Sequence, residues 1–257
     1  MFVRFRLQSR ECRTFYATTF TPIFTMTGIG IWIVLIIVPM LFGLYAQMRI
    51  RSAYSKNAQV ASRGGITGRE AAEAVIRSAG IHDVKIIEVP GELTDHYNPM
   101  TKELALSEHN YHGHSLAALG VAAHEAGHAI QHKVGYSMMT IRQSLAPATQ
   151  IAAGVSNFVM IAGIFLLSTA IGGKLLLIGA IALAVICLFQ FVTLPVEFDA
   201  SRRAKEQLVS LGILDRDEMS GVKETLDAAA LTYVAAFVAA LGSLLHILML
   251  LAGRREE

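Results

Sequence analysis

Charge is what this sequence has least of. Only 16% of its 257 residues are Asp, Glu, Lys or Arg, where soluble domains carry about one quarter. That shortfall, beside 53% hydrophobic residues, argues against an ordinary water-soluble protein. The net charge is only +2, so the electrostatic footprint of a nucleic-acid partner is missing. Cysteine is nearly absent. Cys12 and Cys187 build neither a disulfide framework nor a thiol-based metal site. Cys187, inside an apolar run, reads as a packed thiol. Internal repeats and low-complexity segments are missing as well.

What is present instead is long apolar sequence. Four stretches reach the roughly 20 residues needed to cross a bilayer: Gly28 to Met48, Ala148 to Ile171, Leu175 to Leu194 and Ala228 to Ala252. The first three contain no Asp, Glu, Lys or Arg, which is hard to reconcile with a water-facing helix side. The fourth is Ala-rich and contains His246. A buried soluble helix competes most strongly there, although intramembrane polar groups are often functional. The chain thus divides into an N-terminal extension (1–25), a first transmembrane helix (26–50), a water-soluble unit (51–147), a transmembrane hairpin (148–195), a surface segment (196–227), and a fourth transmembrane helix with a short tail (228–257).

Lys and Arg set the expected orientation. Ten lie between Arg49 and Arg142 and five between Arg202 and Lys223, with only Lys174 in the turn between the second and third spans. With four spans the two basic segments share one side, which should be cytoplasmic. Arg4, Arg6, Arg10 and Arg13 pull the other way. The run that follows them is too long for a signal-peptide core and lacks a small-residue cleavage site. The extension is therefore expected to be disordered, with the natural start at Met26.

In the water-soluble unit, Thr67-Gly-Arg-Glu70 has the form of a capping box,. A helix should follow, ended by Gly80. Val84 to Val89 reads as a strand closed by Pro90-Gly91, and Leu104-Ala-Leu106 as a second short strand. The strand near Leu104 is expected to present an edge to an extended substrate. From Ser115 to about Val134 the pattern turns helical.

This helix carries His124-Glu125-Ala126-Gly127-His128. Residues four apart share a helix face one turn apart, so two imidazoles can aim at one ion at about 2.0–2.1 Å. Glu125 sits beside a ligand and reaches a water rather than the metal. Zinc lowers the pKa of that water toward about 7, and a carboxylate can take its proton. A five-residue match also occurs on solvated helices carrying two surface histidines. Here the small apolar run from Leu116 to Ala123 suits a buried helix, whose polar groups need partners. Gly127 costs about 1 kcal/mol relative to Ala in a helix interior; a close approach by another segment would explain it.

Catalytic zinc needs a third protein ligand and an open position. Glu197, just beyond the third span, is the leading candidate because the hairpin returns the chain to the side it left. Asp199 is the alternative. On a helix it faces away from Glu197, which suits a supporting role around the ligands. His132, one turn beyond the motif, could also touch a ligand. His96 or Tyr97, or one of His109, His112 and His114, could stabilise an oxyanion, although the latter three also fit a polar approach loop. Arg202 and Arg203 fit lipid headgroups, or a substrate carboxylate.

Three blocks resemble the YugP-type neutral zinc metallopeptidases of bacterial membranes. They are Pro90-Gly-Glu-Leu-Thr-Asp-His-Tyr-Asn-Pro99, Ala122-Ala-His-Glu-Ala-Gly-His-Ala-Ile-Gln-His132 and Leu194-Pro-Val-Glu-Phe-Asp-Ala-Ser-Arg-Arg-Ala204. Leu211-Gly-Ile-Leu214 and Ala228 to Ala235 also resemble that family, and the likeness runs from about Gly28 to the C-terminus. It implies peptidase chemistry at the inner membrane. A more distant likeness is to HtpX-type and CAAX prenyl membrane proteases, whose ligand glutamate opens a motif closing on Ala-Asp. Ser201 stands where that motif has Asp, so the Asp's supporting role is not carried over.

The expectation is a multi-pass α-helical membrane protein with a small α+β zincin-like metallopeptidase unit. It would bind one zinc ion through His124, His128 and Glu197, use Glu125 as base, and act on protein or peptide substrates beside the lipid bilayer. A non-catalytic zinc-binding scaffold or pseudo-peptidase is the alternative, but its mark would be a missing Glu125 or ligand. A transporter is weaker still, because the spans lack paired charges. The sequence sets neither the oligomeric state nor the cleavage specificity.

Overall fold

The computed structural model describes residues 30–31, 33–166 and 168–253. The 1–25 extension and the last four residues lie outside that range. Helices dominate: α1 (Val38–Ala58, entered through a π-helical turn at Ile33–Ile37), α2 (Gly68–Ser78), α3 (Glu108–His112), α4 (Leu116–Lys133), α5 (Ser137–Phe165), α6 (Ala170–Ser210) and α7 (Met219–Gly253). The strands are β1 (Lys85–Val89), β2 (His96–Asn98) and β3 (Glu103–Ser107).

Among the described residues, four helices, including α1 with its π turn, are long and apolar enough to cross a membrane. Most of each apolar window is unburied within the chain, and large apolar side chains such as Leu41, Phe158, Phe165, Ile181 and Leu248 point outward. Such faces suit a hydrocarbon solvent. One helix, α6, is 41 residues long; it continues past the apolar run, through Pro195, to carry Glu197 and Asp199 without a break.

The water-soluble unit forms as its local signals direct. The Thr67 hydroxyl accepts from the Glu70 N–H at 3.2 Å, and Glu70 accepts from the Thr67 N–H at 2.8 Å, so the capping box closes. Gly80 ends this turn at φ +66°, a conformation that costs glycine little. The apolar side of α2, the buried residues Leu104 and Leu106 of β3, the inner face of α4, and the surface ends of α6 and α7 form one core. The α6 end enters that core through Ala204 and Leu208, and α7 through Val222 and Leu226. Membrane helices and soluble unit are thus one packed body.

One expectation fails here. The sheet order is β1-β3-β2, with β1 parallel and β2 antiparallel to β3. The strand at Leu104 is therefore central, paired on both sides and buried. No edge is offered there for strand addition. Its apolar run of Leu104-Ala-Leu106 is what a strand covered on both faces requires.

Candidate metal centre

α4 begins at Leu116, with Ser115 as N-cap accepting from the Ala118 N–H at 3.1 Å. The helix is buried along most of its length, placing Glu125 and His128 in the interior and His124 partly buried beside them. Directly behind them runs α6. A Cβ on Gly127 would lie 2.7 Å from the Ala200 carbonyl oxygen, closer than such atoms normally come. That approach explains a glycine in mid-helix and sets the distance between the histidines and Glu197. Gly127→Ala is expected to push the two helices apart. Helix propensity favours Ala by about 1 kcal/mol, but overpacking costs about 1–3 kcal/mol. We expect at least a tenfold weaker hold on zinc, roughly as misplaced or unsupported ligands suffer, read by chelator competition.

The Nε2 atoms of His124 and His128 lie 3.3 and 3.7 Å from Oε2 of Glu197. Donors about 2.0–2.1 Å from a tetrahedral ion stand roughly 3.4 Å apart, so the three fit one ion. The Glu197 side chain is 2% exposed, yet neither carboxylate oxygen makes a well-formed hydrogen bond. Its charge is met instead by the histidines and by Arg142, whose Nη1 is 3.1 Å from Oε1. A buried carboxylate without hydrogen bonds is costly; a divalent cation removes that cost. The donor set thus fits zinc.

Surrounding groups fix the imidazoles. Gln131 Nε2 donates to the Val196 carbonyl at 2.8 Å and to Asp199 at 3.0 Å. Its Oε1 is thereby turned to His128 Nδ1, 2.9 Å away. That nitrogen must carry the proton, leaving Nε2 free as a ligand. Asp199 in turn is held by Arg203 at 2.6 Å and by Arg202. Asp199 thus reaches His128 only through Gln131, and both arginines are engaged with Asp199. His124 Nδ1 lies 3.1 Å from Ser201 Oγ. Ser201 stands where the more distant membrane proteases have Asp, and its hydroxyl is placed to accept a hydrogen bond from a protonated Nδ1.

Glu125 is buried and one residue from His124, outside the donor set. Burial raises its carboxyl above the usual carboxylate range, against the lowering pull of His128 and His124. Two clefts of about 270 Å³ each meet at this residue. The first lies between α1, α4 and α7; the second lies between the β2 segment, α5 and α6. Their common wall consists of Asp95, Glu125, Glu197 and Tyr233.

Other candidates fall elsewhere. The Tyr97 hydroxyl is 2.8 Å from His132 Nδ1, and Tyr97 also lines the second cleft. His96 lines the second cleft and binds the Thr94 carbonyl through Nδ1 at 2.8 Å. His112 meets Glu88 on the surface, within the short helix α3 rather than a loop. Asp95 accepts from the Ser107 N–H at 2.8 Å and from Asn110 at 2.9 Å, and Tyr54 donates to Asn110 at 2.8 Å. This chain of bonds ties the β2 approach to α1. Arg142, Gln131, Asp95 and Tyr233 escaped the sequence reading. Only the spacing of Gln131, three residues from His128, could have signalled one of them.

Residues 32–252 match the family model described as "Putative neutral zinc metallopeptidase". The chain belongs to this zinc metallopeptidase family. Within the family it is 38% identical to the "Putative membrane protease YugP" of Bacillus subtilis over 227 residues, covering 88% of this chain and 99% of the relative. No solved structure matches it.

Proposed function

We propose that the protein is a multi-pass membrane endopeptidase of the HExxH type, holding one zinc ion on His124, His128 and Glu197. The observation that carries this reading is the convergence of those three donors with Glu125 beside them, at the meeting point of two open clefts. Zinc bound there would polarise the scissile carbonyl and acidify the attacking water. Glu125 takes the water's proton and returns it to the leaving amine. Arg142 holds Oε1 of Glu197, which keeps Oε2 toward the imidazoles. Clefts on both sides leave both ends of a substrate chain free, as internal cleavage requires. A non-catalytic scaffold would have no use for a buried carboxylate beside the donor set. The basic segments flanking the spans support a cytoplasmic site.

We assign the oxyanion hydrogen bond to Tyr233, which shares the wall with Glu125 and Glu197. Tyr233→Phe is expected to lower kcat by about 100-fold, with KM and zinc content near wild type in steady-state assays.

The test of the whole reading is zinc removal. Purified full-length protein should contain about one zinc per chain and cleave an unstructured protein such as casein. Chelation should abolish cleavage and stoichiometric Zn²⁺ restore it. Zinc-loaded protein that never cleaves, or chelated protein that cleaves unchanged, would falsify it.

A further inference from the structure

The two clefts differ in chemistry, and the difference points to a substrate. The first is walled by Ile50 of α1, Val121 of α4, and Leu226, Ala229 and Ala230 of α7. These are aliphatic or small. Val121 is one helical turn before Glu125, so the apolar wall runs directly into the candidate catalytic wall. The second cleft is lined by Arg142 and Gln143 of α5 and by His96 of β2, beside the apolar Met139, Ala146 and Phe189. Arg142 uses Nη1 on Glu197 and keeps 30% of its side chain exposed, leaving further N–H donors for a ligand.

A chain lying across Glu125 must put residues from opposite sides of its scissile bond into these two clefts. The geometry points to an extended polypeptide with an aliphatic side chain in the α1/α7 cleft and an acidic side chain facing Arg142 in the other. The first cleft also opens between the surface ends of two candidate spans, at the level marked by Arg49, Arg51 and Lys56 on α1. This inference rests on the peptidase reading and adds the substrate class to it.

The experiment uses zinc-loaded full-length protein in proteoliposomes and unstructured peptides that differ at one position each, with cleavage sites read by mass spectrometry. On one side of the scissile bond, Leu or Val is expected to give at least about tenfold higher kcat/KM than Asp or Lys. On the other side, Asp or Glu should exceed Lys by a similar factor. Val121→Phe and Ala230→Phe narrow the first cleft from two different helices. Both should slow Leu peptides while sparing peptides with Gly or Ala at that position, and retain zinc. That exchange of preference is a result which general damage to the fold would not produce. A flat preference on either side overturns the inference, as do narrowing variants that slow every peptide equally. If wild-type protein cleaves neither these peptides nor casein, it is the peptidase reading that falls.

Discussion

Glu125→Gln is expected to leave zinc at the wild-type level and to lower peptide hydrolysis by about a thousandfold, within the range general acid–base catalysis supplies. The amide matches the carboxylate in volume, so the packing of α4 against α6 should persist. What disappears is the ability to take a proton from water and return it to the amine. Because Glu125 lies outside the His124–His128–Glu197 set, metal content and activity separate in this one variant. Metal analysis and casein cleavage on the same preparation check it. A variant with wild-type turnover would remove Glu125 from the chemistry; one without zinc would show that the donor set has been misassigned.

Glu197→Leu should act in the opposite way. Losing a ligand is expected to weaken zinc binding by more than the roughly 10- to 100-fold typical of a supporting residue, and activity should vanish with the metal. Stability should fall as well. In the metal-free protein the Glu197 carboxylate is met by both imidazoles and by Arg142, and removing one partner of a buried charge pair leaves the other uncompensated and is destabilising. Chelated Glu197→Leu is therefore expected to melt below chelated wild type, and zinc should raise the melting temperature of wild type only. Thermal unfolding in one detergent, with and without Zn²⁺, distinguishes these cases. Stoichiometric zinc in the variant would exclude Glu197 as a ligand.

Legibility in the sequence followed the range of the physics involved. His124, Glu125 and His128 stand out because helical spacing alone makes them neighbours. Gly127 announced a close contact because glycine in mid-helix is costly, and Ala200 proved to be the neighbour. The spans were evident from uninterrupted apolar composition. Glu197 could be placed because a hairpin must return to its starting side. Non-local pairing was less visible. β2 is only three residues long and is defined by its bonds to β3, and no local pattern reveals that β3 lies between its neighbours in the sheet. Arg142 looked like any basic residue near a span, and Tyr233 like any aromatic residue within one. Their place beside Glu197 depends on how α5 and α7 pack around α6.

The donor set is split by the α5–α6 hairpin: both imidazoles are synthesised before it and the carboxylate after it. A nascent chain on the ribosome therefore carries an incomplete centre. On the peptidase reading proposed above, cleavage would become possible only after the hairpin has been inserted and the start of α7 has closed the core. Insertion into the bilayer would then do the work that a removable propeptide does in a secreted protease, keeping an unfinished enzyme from degrading its surroundings.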